Sequence, residues 1–224
     1  SPVSVTLAVA TGTLSPQELY IDGFAVARAT SSALPVNPGT ANRLQILVQG
    51  ETAVPGSPTG KTGVPDADLG TPGVQNFSAG DLIPITVNRT DSRYNLVPQA
   101  TQPTVQVFTV DSNAYAMVTP SQQTLGVNGS ASYTVLVRRA NGAGWLIRAS
   151  TASGSAVNTV TADTTPAIIV LSTTTDRLQV VLPGQTAVAG LMQAGERGLT
   201  GTASAATAGM SYPITVNMTD RFYN

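Results

Sequence analysis

The chain has neither cysteine nor histidine, and a single lysine, Lys61, among 224 residues. Without thiol or imidazole there is no disulfide framework, no Ser-His-Asp or Cys-His nucleophile, and no zinc site of the usual nitrogen and sulfur ligands. Charge is equally sparse: eleven basic and twelve acidic side chains, 10% of the residues, leave a net charge of −1. A basic groove that exchanges counterions with a phosphate backbone cannot be built from so few cations, so no nucleic-acid partner is expected. The longest purely aliphatic run, Ile168-Ile169-Val170-Leu171, is far short of the roughly 18 to 20 residues that cross a bilayer, so no membrane span is expected either. The first residues, from Ser1, carry no basic start and no apolar core, which reads as no secretory signal.

What is abundant is threonine, beside 21 glycines and 15 prolines. Short Val/Ile/Thr segments recur between turn residues at spacings too short for helices, the mark of an all-β chain. Alternation is clearest at 3–9, 85–88, 105–110, 133–137 and 214–217, each with one apolar face. The best helical stretch, 14–20, is interrupted by Pro16 and followed by Asp22-Gly23, which hold it to a turn or two. With 42% hydrophobic residues the chain can fill a core, and the sole tryptophan, Trp145, set in a strand pattern, is expected to anchor it.

The sequence also repeats itself. Asn42-Arg43-Leu44-Gln45-Ile46-Leu47-Val48 returns further along the chain as Asp176-Arg177-Leu178-Gln179-Val180-Val181-Leu182. Pro84-Ile85-Thr86-Val87-Asn88-Arg89-Thr90-Asp91 returns as Pro213-Ile214-Thr215-Val216-Asn217-Met218-Thr219-Asp220, and Tyr94-Asn95 as Tyr223-Asn224, at a slightly shorter spacing. The change of spacing falls in a Gly/Pro-rich stretch, 50–80 in the first copy and 184–209 in the second, as it would in a surface loop. Thr52-Ala53-Val54 and Thr186-Ala187-Val188 keep register inside that stretch, which predicts a structured loop.

Two shorter echoes, Val3-Ser4-Val5 of Val105-Gln106-Val107 and Gly23-Phe24 of Gly144-Trp145, divide the chain. Residues 1–41 read as the back part of one unit, 42–173 as a complete unit with the long loop 50–80, and 174–224 as the front part of the next. On this alignment only a short connection separates Asn95 from the strand equivalent to Val3. The chain is therefore either a window of an array or a subunit whose two end fragments complete each other.

A strand that opens after Ala79-Gly80 or Ala208-Gly209, runs Ile-Thr-Val-Asn and closes on Asp-x-x-x-Asn resembles the bacterial immunoglobulin-like repeats of invasin- and intimin-type surface proteins. The downstream order is similar, with strands at 105–110 and 132–137, then Gly144-Trp145-Leu146-Ile147-Arg148-Ala149, then 168–171. The resemblance spans the chain on short motifs. It implies tandem β-sandwiches of about seven strands with Greek-key connections, one complete and two partial here, strung as a rod on a cell surface. Where the family usually has glycine before the Asn, this chain has Tyr94 and Tyr223.

Three kinds of candidate site follow. Asp91 with Asn95, and Asp220 with Asn224, present hard oxygens suited to calcium, with Asp111 a further recruit, but Asp and Asn also shape tight turns without any ion. Asn88 and Asn217 stand at equivalent positions in Asn-x-Thr sequons, joined by Asn76 and Asn128, and become glycan acceptors if the host glycosylates. Paired carboxylates for acid-base work could come only from Asp66 and Asp68, which have no counterpart in the second copy, and Gly60-Lys61-Thr62 lacks the rest of a phosphate-binding loop. Ile85, Val87, Ile214 and Val216 are expected in the core beside Trp145.

These readings lead to a non-catalytic, extracellular or cell-surface structural protein that needs no cofactor. It would form a stalk or filament by head-to-tail stacking, with self-association through strand exchange as one form. The alternatives are an adhesin or glycan-binding module meeting a host surface, with 50–80 as its surface, or a phage fibre module.

Overall fold

A computed structural model describes residues 3–23, 26–71, 76–111, 115–155, 157, 160–192 and 197–224, and it is all-β, with no α-helix among them. The first stretch holds β1 (Gly12–Gln17), β2 (Tyr20–Gly23), β3 (Val26–Thr30) and β4 (Leu34–Val36). The central body holds β5 (Arg43–Val48), β6 (Glu51–Ala53), β7 (Lys61–Gly63), β8 (Phe77–Ser78), β9 (Leu82–Thr90), β10 (Thr104–Thr109), β11 (Ala116–Thr119), β12 (Gln122–Thr124), β13 (Ser130–Val137), β14 (Asn141–Trp145), β15 (Ile147–Thr151), β16 (Asp163–Thr164) and β17 (Ile168–Leu171). The last stretch holds β18 (Arg177–Val181), β19 (Gln185–Ala187), β20 (Leu199–Gly201) and β21 (Thr215–Thr219). The stretch 14–20, read above as a turn or two of helix, falls largely on β1, where Pro16 sits in a two-stranded pairing with β4. Proline is tolerated at such a sheet margin because its missing N–H need not serve a ladder.

Two four-stranded sheets, ordered β11-β13-β9-β5 and β12-β10-β15-β16, turn their apolar faces to one core, and β14-β17-β8 closes a side of it. The alternation seen in the sequence supplies the inner faces: Ile85 and Val87 from β9, Val135 from β13 and Val107 from β10 are all buried. Each fully buried aliphatic side chain of this kind contributes about 1.5 to 3 kcal/mol. Trp145 is buried as expected, and its indole N–H donates to the Arg139 carbonyl at 3.0 Å. The aromatic segment around it is not one strand. Leu146 separates β14 from β15, which belong to different sheets, so Trp145 and Ile147 reach the core from two layers.

The long loop is structured. β6 pairs with β7 and β19 with β20 in the same antiparallel register, Glu51 facing Gly63 as Gln185 faces Gly201. One difference between the hairpins is chemical. Glu51, its side chain almost wholly buried, lies 2.8 Å from the Lys61 ammonium, and its carboxylate also accepts from the Val48 N–H. In the second hairpin Gln185 accepts from the Leu182 N–H in the same manner, and Leu199 stands opposite Ala187 where Lys61 stands opposite Ala53.

One expectation about the core is corrected. Ile85 is 1% exposed, but its counterpart Ile214 is 58% exposed and lies just before β21, and Val216 on β21 is exposed too. The cause is what surrounds each strand: β9 lies between β5 and β13 and faces a second sheet, whereas among the described residues β21 pairs with β18 and no other strand.

The ion pair gives a direct test. Lys61→Leu should destabilise the chain by about 2 kcal/mol in chemical denaturation, because a buried charge loses its partner. Glu51→Gln combined with Lys61→Leu copies the pair at 185 and 199 and should restore most of that loss.

Candidate functional site

Asp91 follows directly on β9, and the chain reverses over the next four residues. Tyr94 closes the reversal with φ of 61°, and Tyr223 does so in the second copy with φ of 64°. This left-handed region favours glycine, and a tyrosine there costs about 1 to 2 kcal/mol. The rings offset part of that cost: each lies under an arginine, Arg43 at 4.7 Å and Arg177 at 5.2 Å from the ring centre. A side chain at Gly60 or Gly198 would collide with these rings.

The reversal gathers backbone and side-chain N–H donors around one carboxylate. Asp91 Oδ1 accepts from the Arg93 N–H at 2.8 Å and the Asn95 N–H at 3.0 Å, and Oδ2 accepts from the Gly39 N–H at 2.8 Å. The Asn95 amide donates to the same carboxylate, at 3.0 Å to Oδ2. With one N–H so held, Asn95 uses the rest of its carboxamide elsewhere: Nδ2 donates to the Ala8 carbonyl at 3.0 Å and Oδ1 accepts from the Ala10 N–H at 2.8 Å.

The second corner repeats this set. Asp220 Oδ1 accepts from the Phe222 and Asn224 N–H groups at 2.8 and 3.0 Å, and Oδ2 from the Thr173 N–H at 3.0 Å and Asn224 Nδ2 at 2.9 Å. Asn224 Nδ2 donates to the Arg138 carbonyl at 2.9 Å, and its Oδ1 accepts from the Ala140 N–H at 2.8 Å. A carboxamide carries the donor and acceptor of a peptide group. By taking the C=O and N–H on either side of Val9 or Arg139, it does what a neighbouring residue does in a parallel bridge.

These bonds also correct a register. Ala8 and Ala10 stand to Asn95 as Arg138 and Ala140 stand to Asn224, so residues 3–10 correspond to 133–140, not to 105–107, and, despite their alternation, they form no strand here, with Val3 and Val5 exposed. The other echo falls on Phe24, outside the described residues. Alternating valines fit any half-buried strand, so the sequence alone could not choose between the two alignments.

Other candidates have quieter roles. The carboxylate oxygens proposed for calcium at Asp91 and Asp220 face N–H donors, and the Asn95 and Asn224 oxygens each accept a backbone N–H. Asp111 takes no part in either corner, its Oδ2 lying 3.5 Å from the Leu146 N–H. Asn88 is buried and its amide donates to Gln45 Oε1 at 3.1 Å, while Gln45 Nε2 donates to the Gly60 carbonyl at 2.7 Å. Asn217, Gln179 and the Gly198 carbonyl form the same relay at 3.1 and 2.8 Å. The Asn88 amide nitrogen is thus bound inside the fold and that of the half-buried Asn217 is held by Gln179, whereas Asn76 and Asn128 are exposed. Asp66 and Asp68 shape a turn: Asp66 Oδ1 accepts from the Asp68 N–H, and Asp68 accepts from Gly70 and Thr71. The Gln relay escaped the sequence reading, although a glutamine inside an apolar strand in both copies was its visible signal.

Burial pushes the Asp91 carboxyl up, but the Asn95 side chain and the Gly39, Asn95 and Arg93 backbone N–H groups outweigh it and hold the group below its ordinary value. Asp220 is held low in the same way, its burial outweighed by Asn224, Thr173 and Phe222. A carboxyl lowered in the folded state contributes stability that is whole above its unfolded value of about 3.9 and is lost as pH falls through the folded value. The melting temperature should therefore be flat from neutral pH to about 5 and decline below about 4. Asp220→Asn should lower the plateau and shrink the acid decline, both visible in a thermal melt followed by circular dichroism.

Compared with protein-family models, curated proteins and solved structures, the chain matches none of them.

Proposed function

We propose that this chain is a non-catalytic structural segment in which immunoglobulin-like sandwich units stand in series, fixed at each junction by an Asp-Asn corner, and that it serves as part of a stalk or filament at a cell surface. The observation that carries the reading is recurrence. Asp91 and Asn95 fasten residues 39 and 8–10, and Asp220 and Asn224 fasten residues 173 and 138–140, with the same bonds at closely matching lengths. A loop kept only for its own turn would have no need to reach 85 residues back along the chain. Phe222 adds an apolar contact at the second junction, its ring lying against Gly80. Placement at a cell surface rests on the resemblance to invasin- and intimin-type repeats.

An adhesive or glycan-binding role for 50–80 draws less support, because its one aromatic, Phe77, is buried in the core. A phage fibre module would use the same architecture.

Small-angle X-ray scattering tests the junction. The parent chain should give a profile fitted by one arrangement of its parts. Asn224→Ala should keep the strand signal in circular dichroism, cost about 1 to 2 kcal/mol, and broaden the distance distribution. A variant profile that superposes on the parent would argue against the corner as a junction.

A further inference from the structure

The two junctions share a corner but not the segment that it grips. At the first, the gripped residues are Ala8-Val9-Ala10; at the second, Arg138-Arg139-Ala140. Two positions change from small or aliphatic to long and cationic. Yet Nδ2 meets the carbonyl at 3.0 Å in one and 2.9 Å in the other, and Oδ1 meets the N–H at 2.8 Å in both. Every bond that Asn95 and Asn224 make to the gripped segment ends on a main-chain atom.

A second feature explains how the middle residue can vary. Gly56 faces Val9, and Gly190 faces Arg139; a Cβ added to either would lie 2.5 Å from Val9 Cγ2 or 2.6 Å from Arg139 Cβ. Both glycines have positive φ, 81° and 77°, and their N–H groups donate to the carbonyls of Arg93 and Phe222 within the corner. Each corner thus carries a bare backbone opposite the gripped segment's central side chain, where any larger residue would select for or against it. The third gripped position is alanine in both cases.

We propose that the corner and its glycine form a docking surface that recognises the gripped segment by its main chain, without reading the side chains at its first two positions, and that its partner is this segment of any preceding unit with alanine at the third position. Units of differing surface sequence can then follow one another in any order through one standard joint. The inference deepens the reading of units in series and rests on it.

Hydrogen exchange at the Ala10 amide, followed by NMR on the full chain, tests the proposal. Ala8→Arg with Val9→Arg, which writes the second gripped segment into the first junction, should change Ala10 exchange by less than about threefold. Asn95→Ala should speed it by about tenfold or more, since the amide loses its acceptor. The Ala140 amide, held by the untouched second corner, reports in each variant that the rest of the chain remains folded. If the double arginine variant speeds Ala10 exchange as much as Asn95→Ala does, recognition reads side chains and the proposal fails. It fails equally if Asn95→Ala leaves exchange unchanged. The series reading is judged separately by the scattering of the parent chain, so a single fixed arrangement there, together with swap-sensitive exchange, would sink only this inference.

Discussion

A carboxylate ringed by N–H donors is the fixed point from which each Asp-x-x-x-Asn corner is built. Asp91 is buried, and burial alone would drive it toward its neutral form. The donors reverse that tendency, and in doing so they are themselves ordered: the linker through Gly39, the reversal through Arg93 and Asn95, and the asparagine side chain through Nδ2. Once one amide hydrogen is committed to the aspartate, the carboxamide plane has little freedom left, and its remaining donor and acceptor meet the gripped main chain without further loss of side-chain entropy. The left-handed tyrosine belongs to the same arrangement, because the chain must turn sharply for residues 91 and 95 to share their bonds.

Much of this was legible in the sequence where two copies could be compared. The strands at 85–88, 105–110 and 133–137, the buried Trp145, and the order inside the Gly/Pro-rich stretch follow from alternation and from residues kept in register, but the equally regular alternation at 3–9 lies in no strand, and the break at Leu146 left no such mark. The purpose of the Asp-x-x-x-Asn motif was not legible, since its oxygens suit a turn, an ion or a partner equally well until their neighbours are known. The sequons at Asn88 and Asn217 show the opposite case. A repeated asparagine two residues before threonine resembles a glycan acceptor, yet each is kept in reach of a glutamine that closes the loop at Gly60 or Gly198. Exposure of Ile214 and Val216 could not be read locally either, because it depends on which strands lie opposite and not on the residues themselves.

Comparison of the two copies separates what the architecture requires from what it merely allows. The bonds of the corner and of the glutamine relay recur with the same residue types. The hairpin keeps its acceptor for the N–H of Val48 or Leu182 but changes the rest, an ion pair in one copy and a neutral glutamine with leucine in the other. The backbone geometry is common to both, so the charge on Glu51 and Lys61 is a local solution to filling one position and not a condition of the fold.

That local solution has a chemical consequence. Lys61 is the chain's one lysine, and its ammonium is spent on Glu51 and on the carbonyl of Ile46. Reagents and enzymes that act on lysine amines, whether crosslinkers, aldehydes or acyl-transferring modifiers, thus meet a molecule whose only such amine is tethered at both its charge and its hydrogen-bond donors.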